Sequence, residues 1–193
     1  MRRYRSLKRL TAPAAEPITL AEAKSHIRVD NTVDDALISG YITTAREWCE
    51  DYLDRALVLQ QFVMKLDAFP TEIEVPRPPM ASSGTATAVT ITYTTGYTLA
   101  TATLATTSYR VDREDTPGKV RNLYNQSWPS HLIDQNSVVV TWWAGYGDAS
   151  GVPQRAKTAM LMCVHELYEK RGGGEMPDAA KRLLDTISWG SYT

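Results

Sequence analysis

One stretch constrains the fold more than any other: Ser137 to Tyr168, SVVVTWWAGYGDASGVPQRAKTAMLMCVHELY. Val138 to Trp143 is a run of β-branched and aromatic residues, the composition of a strand. Gly145, Gly147 and Gly151 interrupt it, and Pro153 follows. Proline suits the first turn of a helix, where its missing N–H loses nothing. From Ala156 the period changes to three and four: Ala156, Ala159, Met160, Cys163, Val164, Leu167 and Tyr168 share one helical face. A strand therefore hands over to a helix across a glycine-rich joint.

The N-terminal half has its own helical signals. Thr19-Leu20-Ala21-Glu22 is a capping box, in which the Thr19 hydroxyl and the Glu22 carboxylate each satisfy the other residue's backbone N–H. It predicts a short helix from Leu20 to about Arg28. Thr32 or Asp34 is then placed to cap a second helix running to about Asp54. Its stripe is Leu37, Ile38, Tyr41, Ile42, Ala45, Trp48, Cys49, Tyr52 and Leu53. Gly40 inside this helix costs about 1 kcal/mol relative to alanine, which suggests the close approach of a neighbouring helix.

From Leu57 the period becomes two. Residues 57–66, 73–75, 89–94, 109–112, 119–123 and 137–143 read as strands, broken by Pro76-Arg77-Pro78-Pro79, Gly96 and Pro117-Gly118. Gly172-Gly173-Gly174 closes the helix that began after Pro153. Pro177 opens a last one, with Ala180, Leu183, Leu184 and Ile187 inward. Helices flanking a run of strands argue for an α+β fold. The expected organisation is a helical body of four main helices, two N-terminal and two C-terminal, formed by residues 18–56 and 152–187. A small antiparallel β domain, residues 57–151, is inserted in it. Residues 1–17 are a basic, Pro/Ala-rich arm and residues 188–193 a tail. The alternative, two independent domains, gives neither helical pair a good core.

Charge is uneven. Arg2, Arg3, Arg5, Lys8 and Arg9 lie in the first ten residues, so the rest of a chain of net charge −1 carries −6. A nucleic-acid binder shows a basic face rather than one basic end. The arm is read as a solvated terminus, or as a contact to DNA or an acidic partner. No apolar run is long enough for a membrane span, and no h-region marks a secretory signal.

The chemistry-bearing residues form no catalytic set. Cys49 and Cys163 each fall on an apolar stripe and lack a CxxC partner, which predicts buried thiols rather than a zinc site or a disulfide. His165-Glu166-Leu167-Tyr168-Glu169 lacks the second histidine of a zinc-protease helix. Gly172–Gly174 lacks the lysine of a phosphate loop. Neither a metal nor a cofactor is expected. The aromatics say more. Trp142 and Trp143 point to opposite faces of one strand, and Trp189 and Tyr192 have no evident core to join. Both residue types are enriched at interface hot spots.

Several segments together resemble a known family. They are ITLAEAKSHIRVD at Ile18–Asp30, DDALISGYITTAREWCEDYLDRAL at Asp34–Leu57, VPRPPM at Val75–Met80, and YRVD at Tyr109–Asp112. PGKV at Pro117–Val120, SWP at Ser127–Pro129, and Val140–Arg171 complete the set. In this order and spacing they resemble the phage head–tail connector (adaptor, head-completion) family, in the phiE125 gp8-type branch related to the gp6-like connectors. The resemblance implies a structural virion protein and not an enzyme. It implies a homo-oligomeric ring, dodecameric in the particle, beneath the portal protein. That ring would extend the DNA channel and dock the stopper or tail-completion protein. Genomic DNA would pass through without sequence-specific binding, which a mildly acidic wall suits, and no membrane is involved. The location would be the virion's head–tail interface, after assembly in the host cytoplasm. The C-terminal segment would reach the portal, with Leu184, Ile187, Trp189 and Tyr192 as contacts. Removing everything after Leu183 is then expected to spare the fold. The competing reading is a DNA-binding accessory protein acting through Arg2, Arg3, Arg5, Lys8 and Arg9.

Overall fold

The charged N-terminal segment enters as a strand. The computed structural model describes residues 5–81, 89–96 and 99–188. Among them the order is β1 (Ser6–Thr11), α1 (Leu20–Ile27), α2 (Asp35–Leu53), β2 (Gln60–Leu66), β3 (Ile73–Val75), β4 (Thr90–Thr95) and β5 (Ala100–Thr103). Then come a 3-10 turn, β6 (Tyr109–Asp112), β7 (Gly118–Asn122), β8 (Val138–Ala144), α3 (Gln154–Glu169) and α4 (Asp178–Asp185). The fold is α+β. It divides into a helical unit, Ala14–Val58 with the chain from Tyr146 on, and a β unit, Leu59–Gly145 with the N-terminal segment through Pro13.

In the β unit, one antiparallel sheet has the order β1-β2-β8-β4-β5 and a second has β3-β7-β6. β8 lies between β2 and β4, with Phe62 opposite Trp142 and Ile91 opposite Val140. Because side chains alternate across a strand, Gln60, Phe62, Met64 and Leu66 of β2 share one buried face with Val138, Val140, Trp142 and Ala144 of β8. Trp142 is fully buried and stacks on Phe62, ring centroids 5.8 Å apart, whereas Trp143 is only half-buried on the other face. Met80 ties the sheets together: it bridges to Ala144 and lies against Gly118, where an added Cβ would meet its sulfur at 2.3 Å. The Tyr109 hydroxyl also donates to the Val89 carbonyl at 2.5 Å.

The segment 6–11, expected as an extended arm, is instead the edge strand of the large sheet, from Ser6 opposite Lys65 to Thr11 opposite Gln61. Strand pairing, not local propensity, orders it. Its Lys8 and Arg9 suit an edge, where charge discourages pairing with another chain. β5, an Ala/Thr run given no element in the sequence reading, forms in the same way by pairing with β4.

In the helical unit the stripes of α2 and α3 meet. Ile38, Tyr41, Ile42, Ala45 and Cys49 join Ala156, Ala159, Met160, Cys163, Val164 and Leu167 in one core, completed by Ala23, Ala180 and Leu184. Cys49 and Cys163 are free, buried thiols. A hydrogen bond with Cys163 and burial both push the Cys49 thiol far up, which keeps it protonated and inert. Gly40 departs from expectation: among the described residues nothing lies within 4 Å of where its Cβ would be, so no described helix approaches it. The glycine joint is a true backbone requirement at Gly151, where an added Cβ would stand 2.3 Å from the Tyr146 carbonyl oxygen. Pro153 sits one place earlier than a first-turn proline, at the N-cap of α3, and Pro177 does the same for α4.

The capping box forms as the sequence predicts. Glu22 N–H donates to Thr19 Oγ1 at 3.2 Å, and Thr19 N–H donates to Glu22 Oε2 at 2.6 Å. The Thr19 backbone N–H, then its hydroxyl, hold the Glu22 carboxyl below its ordinary pKa. A depressed carboxyl stabilises the fold above its unfolded pKa and loses that contribution as pH falls through the native one. Glu22→Gln is therefore expected to cost about 0.3–1 kcal/mol at neutral pH. The difference from the parent chain should close below the ordinary glutamate range, as read by urea unfolding at the two pH values. At the N-cap of α2, Asp34 makes no side-chain cap bond. Its carboxylate instead accepts from the Tyr168 hydroxyl at 2.8 Å, fixing the start of α2 to the end of α3.

Candidate interaction surfaces

The functional candidates lie on surfaces rather than in a polar cleft. α4 places the C-terminal ones. A helix of eight residues starting at Asp178 carries Ala180 and Leu184 on its inner side, and both are fully buried. Leu184 is thus a core residue, closed to any partner in this fold. Ile187, one turn on, is half-buried against the same core. A cut after Leu183 would remove this packing, so the expectation that such a cut spares the fold is corrected. Trp189 and Tyr192 lie outside the described residues.

The end of α4 is fixed by three contacts. Tyr52 Oη donates to Asp185 Oδ1 at 2.7 Å. Arg155 Nη1 donates to the Thr186 carbonyl at 3.4 Å, and Thr186 Oγ1 donates to the Leu183 carbonyl at 2.6 Å. The Asp185 carboxylate raises the Tyr52 hydroxyl's pKa by accepting its proton's hydrogen bond, so the phenol stays neutral. Beside this contact is a groove of about 390 Å³ lined by Trp48, Asp51, Tyr52, Glu175, Met176 and Lys181. Trp48 and Tyr52 belong to the stripe expected inward. They emerge because α4 is too short to cover the last turn of α2, leaving Tyr52 42% exposed.

Of the basic candidates, Arg2 and Arg3 lie outside the described residues. Arg5 is engaged: its Nε donates to Asp67 Oδ2 at 2.6 Å, and this contact, with the Asn136 N–H, holds Asp67 below the usual carboxylate range. Lys8 and Arg9 are exposed on β1. Sequence reasoning missed a second cationic feature. Arg110 and Arg121 stand directly opposite each other on β6 and β7, on the rim of a cavity of about 540 Å³ with Asp112 and Tyr124. Like charges in register repel, and Glu72 offsets this by pairing with Arg121. Only knowledge of the strand register reveals the pair.

The loop between β7 and β8 is built on aromatics. Phe69 stacks on Trp128 with centroids 4.8 Å apart, and Trp128 Nε1 donates to the Pro70 carbonyl at 2.6 Å. His131 Nε2 accepts from the Phe69 N–H at 3.3 Å, so its proton sits on Nδ1, 3.0 Å from the Pro129 carbonyl. His26 and His165, both in the helical unit, meet edge-on with ring centroids 6.2 Å apart, whereas His131 belongs to the β unit. Among the described residues no group of three or more His, Cys, Asp or Glu is placed to hold a metal ion. No described helix is long and apolar enough to cross a membrane.

Comparison with solved structures finds the same fold over nearly the whole chain. A chain in the neck of an empty gene transfer agent (GTA) particle, computed with C6 symmetry, matches with a TM-score of 0.75 at 21% identity, covering 94% of each chain. One in the neck of a native GTA particle, computed with C12 symmetry, matches at 0.73 and 22% identity, again over 94% of each. A chain from the virion of a native GTA particle matches at 0.73 and 21% identity over 93% of each. No curated protein matches. The model of the phage gp6-like head–tail connector proteins matches residues 17–110, from the capping box through α1, α2 and the strands up to β6. Over that segment this chain is similar to the phage gp6-like head–tail connector proteins.

Proposed function

We propose that this protein is a structural component of a virion neck, a connector that assembles as a ring beneath the portal protein. The observation that carries the reading is the family match over residues 17–110. The likeness in fold to chains of GTA necks computed with C6 and C12 symmetry supports it. The ring is a dodecamer of this chain in the particle, assembled in the host cytoplasm. It extends the DNA channel and offers its far side to the stopper or tail-completion protein. Genomic DNA passes through without sequence-specific contacts, and few phosphate contacts mean weak non-specific retention. The role is architectural and not catalytic.

Trp189 and Tyr192 are the portal contacts in this reading, with Ile187 at the point of departure. Leu184 supports them from the core. The reading through the basic segment as a DNA-binding element has less behind it, because Arg5 is engaged with Asp67 and residues 6–11 are a paired strand. Deleting residues 189–193 leaves every described contact in place. It is expected to reduce co-sedimentation with portal rings at least tenfold while leaving the thermal midpoint unchanged. Retention equal to that of the full chain would contradict the assignment of the tail.

A further inference from the structure

We propose that neighbouring copies of this chain meet head to tail, the arginine face of β6 and β7 in one copy seating on the acidic groove between the end of α2 and α4 in the next. The inference rests on the ring reading above and names the two surfaces that join its members. A ring of identical chains is built from heterologous contacts, in which one surface of a copy meets a different surface of its neighbour. One chain must therefore carry both halves of a complementary pair.

The charges meet that requirement. The β unit contains 11 Lys and Arg against 7 Asp and Glu, and the helical unit 10 against 15. One unit is net positive and the other net negative, although the whole chain carries only −1. Two copies meeting β unit to β unit would set like charge against like. A head-to-tail contact sets the β unit of one copy against the helical unit of another.

Arg110 and Arg121 carry the positive charge to a surface. They stand directly opposite each other and both are exposed, while Val120, one place along, is fully buried on the other face. On the arginine side Lys119 is paired with Asp115 and Arg121 with Glu72, and the Asp112 carboxylate accepts from the Glu114 and Asp115 N–H groups. Arg110 makes no ion pair among the described residues. Directly opposed like charges cost sheet stability, and a carboxylate arriving at Arg110 would offset that cost. Tyr124, 92% exposed, lies beside the pair and adds apolar surface. Arginine and tyrosine are the residue types that dominate interface hot spots.

The groove supplies the counterpart. Asp51 and Glu175 are exposed on it, beside the exposed part of Tyr52. Its lysine, Lys181, is paired with Asp178 at 3.0 Å, so the groove presents net negative charge. Carboxylates bind the guanidinium fork more strongly than neutral acceptors do. Charge pairs of this kind fix register and exclude wrong partners. A nucleic-acid backbone would also suit two arginines, and the test below separates the two.

Two charge-reversed chains provide that test, Arg110→Glu and Glu175→Arg, each mixed with purified portal rings and read by native mass spectrometry. Both positions are exposed, so the thermal midpoints should match that of the parent chain. Each variant alone sets like charges against each other at every contact and should need at least roughly tenfold more chain than the parent to fill the ring. An equal mixture should fill it as the parent does, with equal numbers of the two chains. In an alternating ring every contact again joins one arginine to one glutamate. Parent-like filling by either variant alone would overturn the proposal. So would a loss in both that the mixture does not restore, the result expected if Arg110 meets a nucleic-acid backbone instead. Either of these, with the parent filling the ring, removes only this contact. A parent chain that adds no mass to the portal ring removes the connector reading and this contact with it.

Discussion

Arg46→Ala is expected to destabilise the helical unit by about 3–5 kcal/mol, the cost of leaving a buried charge without its partner. Arg46 lies on α2 with its side chain only 3% exposed, between two carboxylates. Its Nε donates to Glu16 Oε2 at 2.8 Å and its Nη1 to Glu50 Oε2 at 2.7 Å. Burial alone would lower the guanidinium's pKa, but Glu50 and Glu16 outweigh it and hold it above the ordinary value. Both carboxylates do further work. Glu16 accepts from the Thr43 hydroxyl at 2.9 Å, and Glu50 Oε1 accepts from the Leu57 N–H at 2.8 Å. Arg46 thereby fixes the strap that precedes α1 and the turn that leaves α2. Lysine keeps the charge but not the fork of donors, so Arg46→Lys should fall between alanine and the parent chain. Urea unfolding followed by far-ultraviolet circular dichroism reads the loss. A cost under about 1 kcal/mol, the range of exposed ion pairs, would show that the network adds nothing beyond surface charge.

Trp142→Ala should cost the β unit about 3–5 kcal/mol, the usual range for removing a large buried aromatic. The residue is fully buried at the centre of β8, stacked on Phe62. Its Nε1 meets no hydrogen-bond partner among the described residues, so its contribution is packing alone. Trp142→Phe should consequently lose much less than alanine does. Trp143→Ala is the internal control. It removes the same side chain from the next position, but from the half-exposed face opposite Gln61, and should cost about 1 kcal/mol or less. Equal losses at 142 and 143, read by near-ultraviolet circular dichroism through unfolding, would contradict the register of β8 with β2.

Those two positions also show what could be read from the residues. A period of two placed Trp142 and Trp143 on opposite faces, but burial was decided by β2 and β4, which no local pattern names. The helices were more legible. The stripes of α2 and α3, the capping box and the burial of Cys49 and Cys163 all follow from spacing, because a helix makes its hydrogen bonds within itself. The edge strands were not legible. β1 looks like a charged arm and β5 like a linker, since each owes its conformation to a neighbour. Gly40 misled because a glycine permits close approach without requiring it. At the C-terminus, Leu184 was assigned to both the inner stripe and the partner surface. Only the packing of α4 places it in the core. The groove at Trp48 and Tyr52 was hidden for a related reason: a continuous apolar stripe does not say where the helix covering it stops.

The connector account rests most directly on one measurement, the mass of the portal ring with and without this protein. Native mass spectrometry of purified portal rings mixed with excess chain should show an added mass equal to twelve copies. A monomeric free chain is consistent with this account, in which the ring forms on the portal. A portal ring whose mass does not change at any excess of the chain would contradict the account.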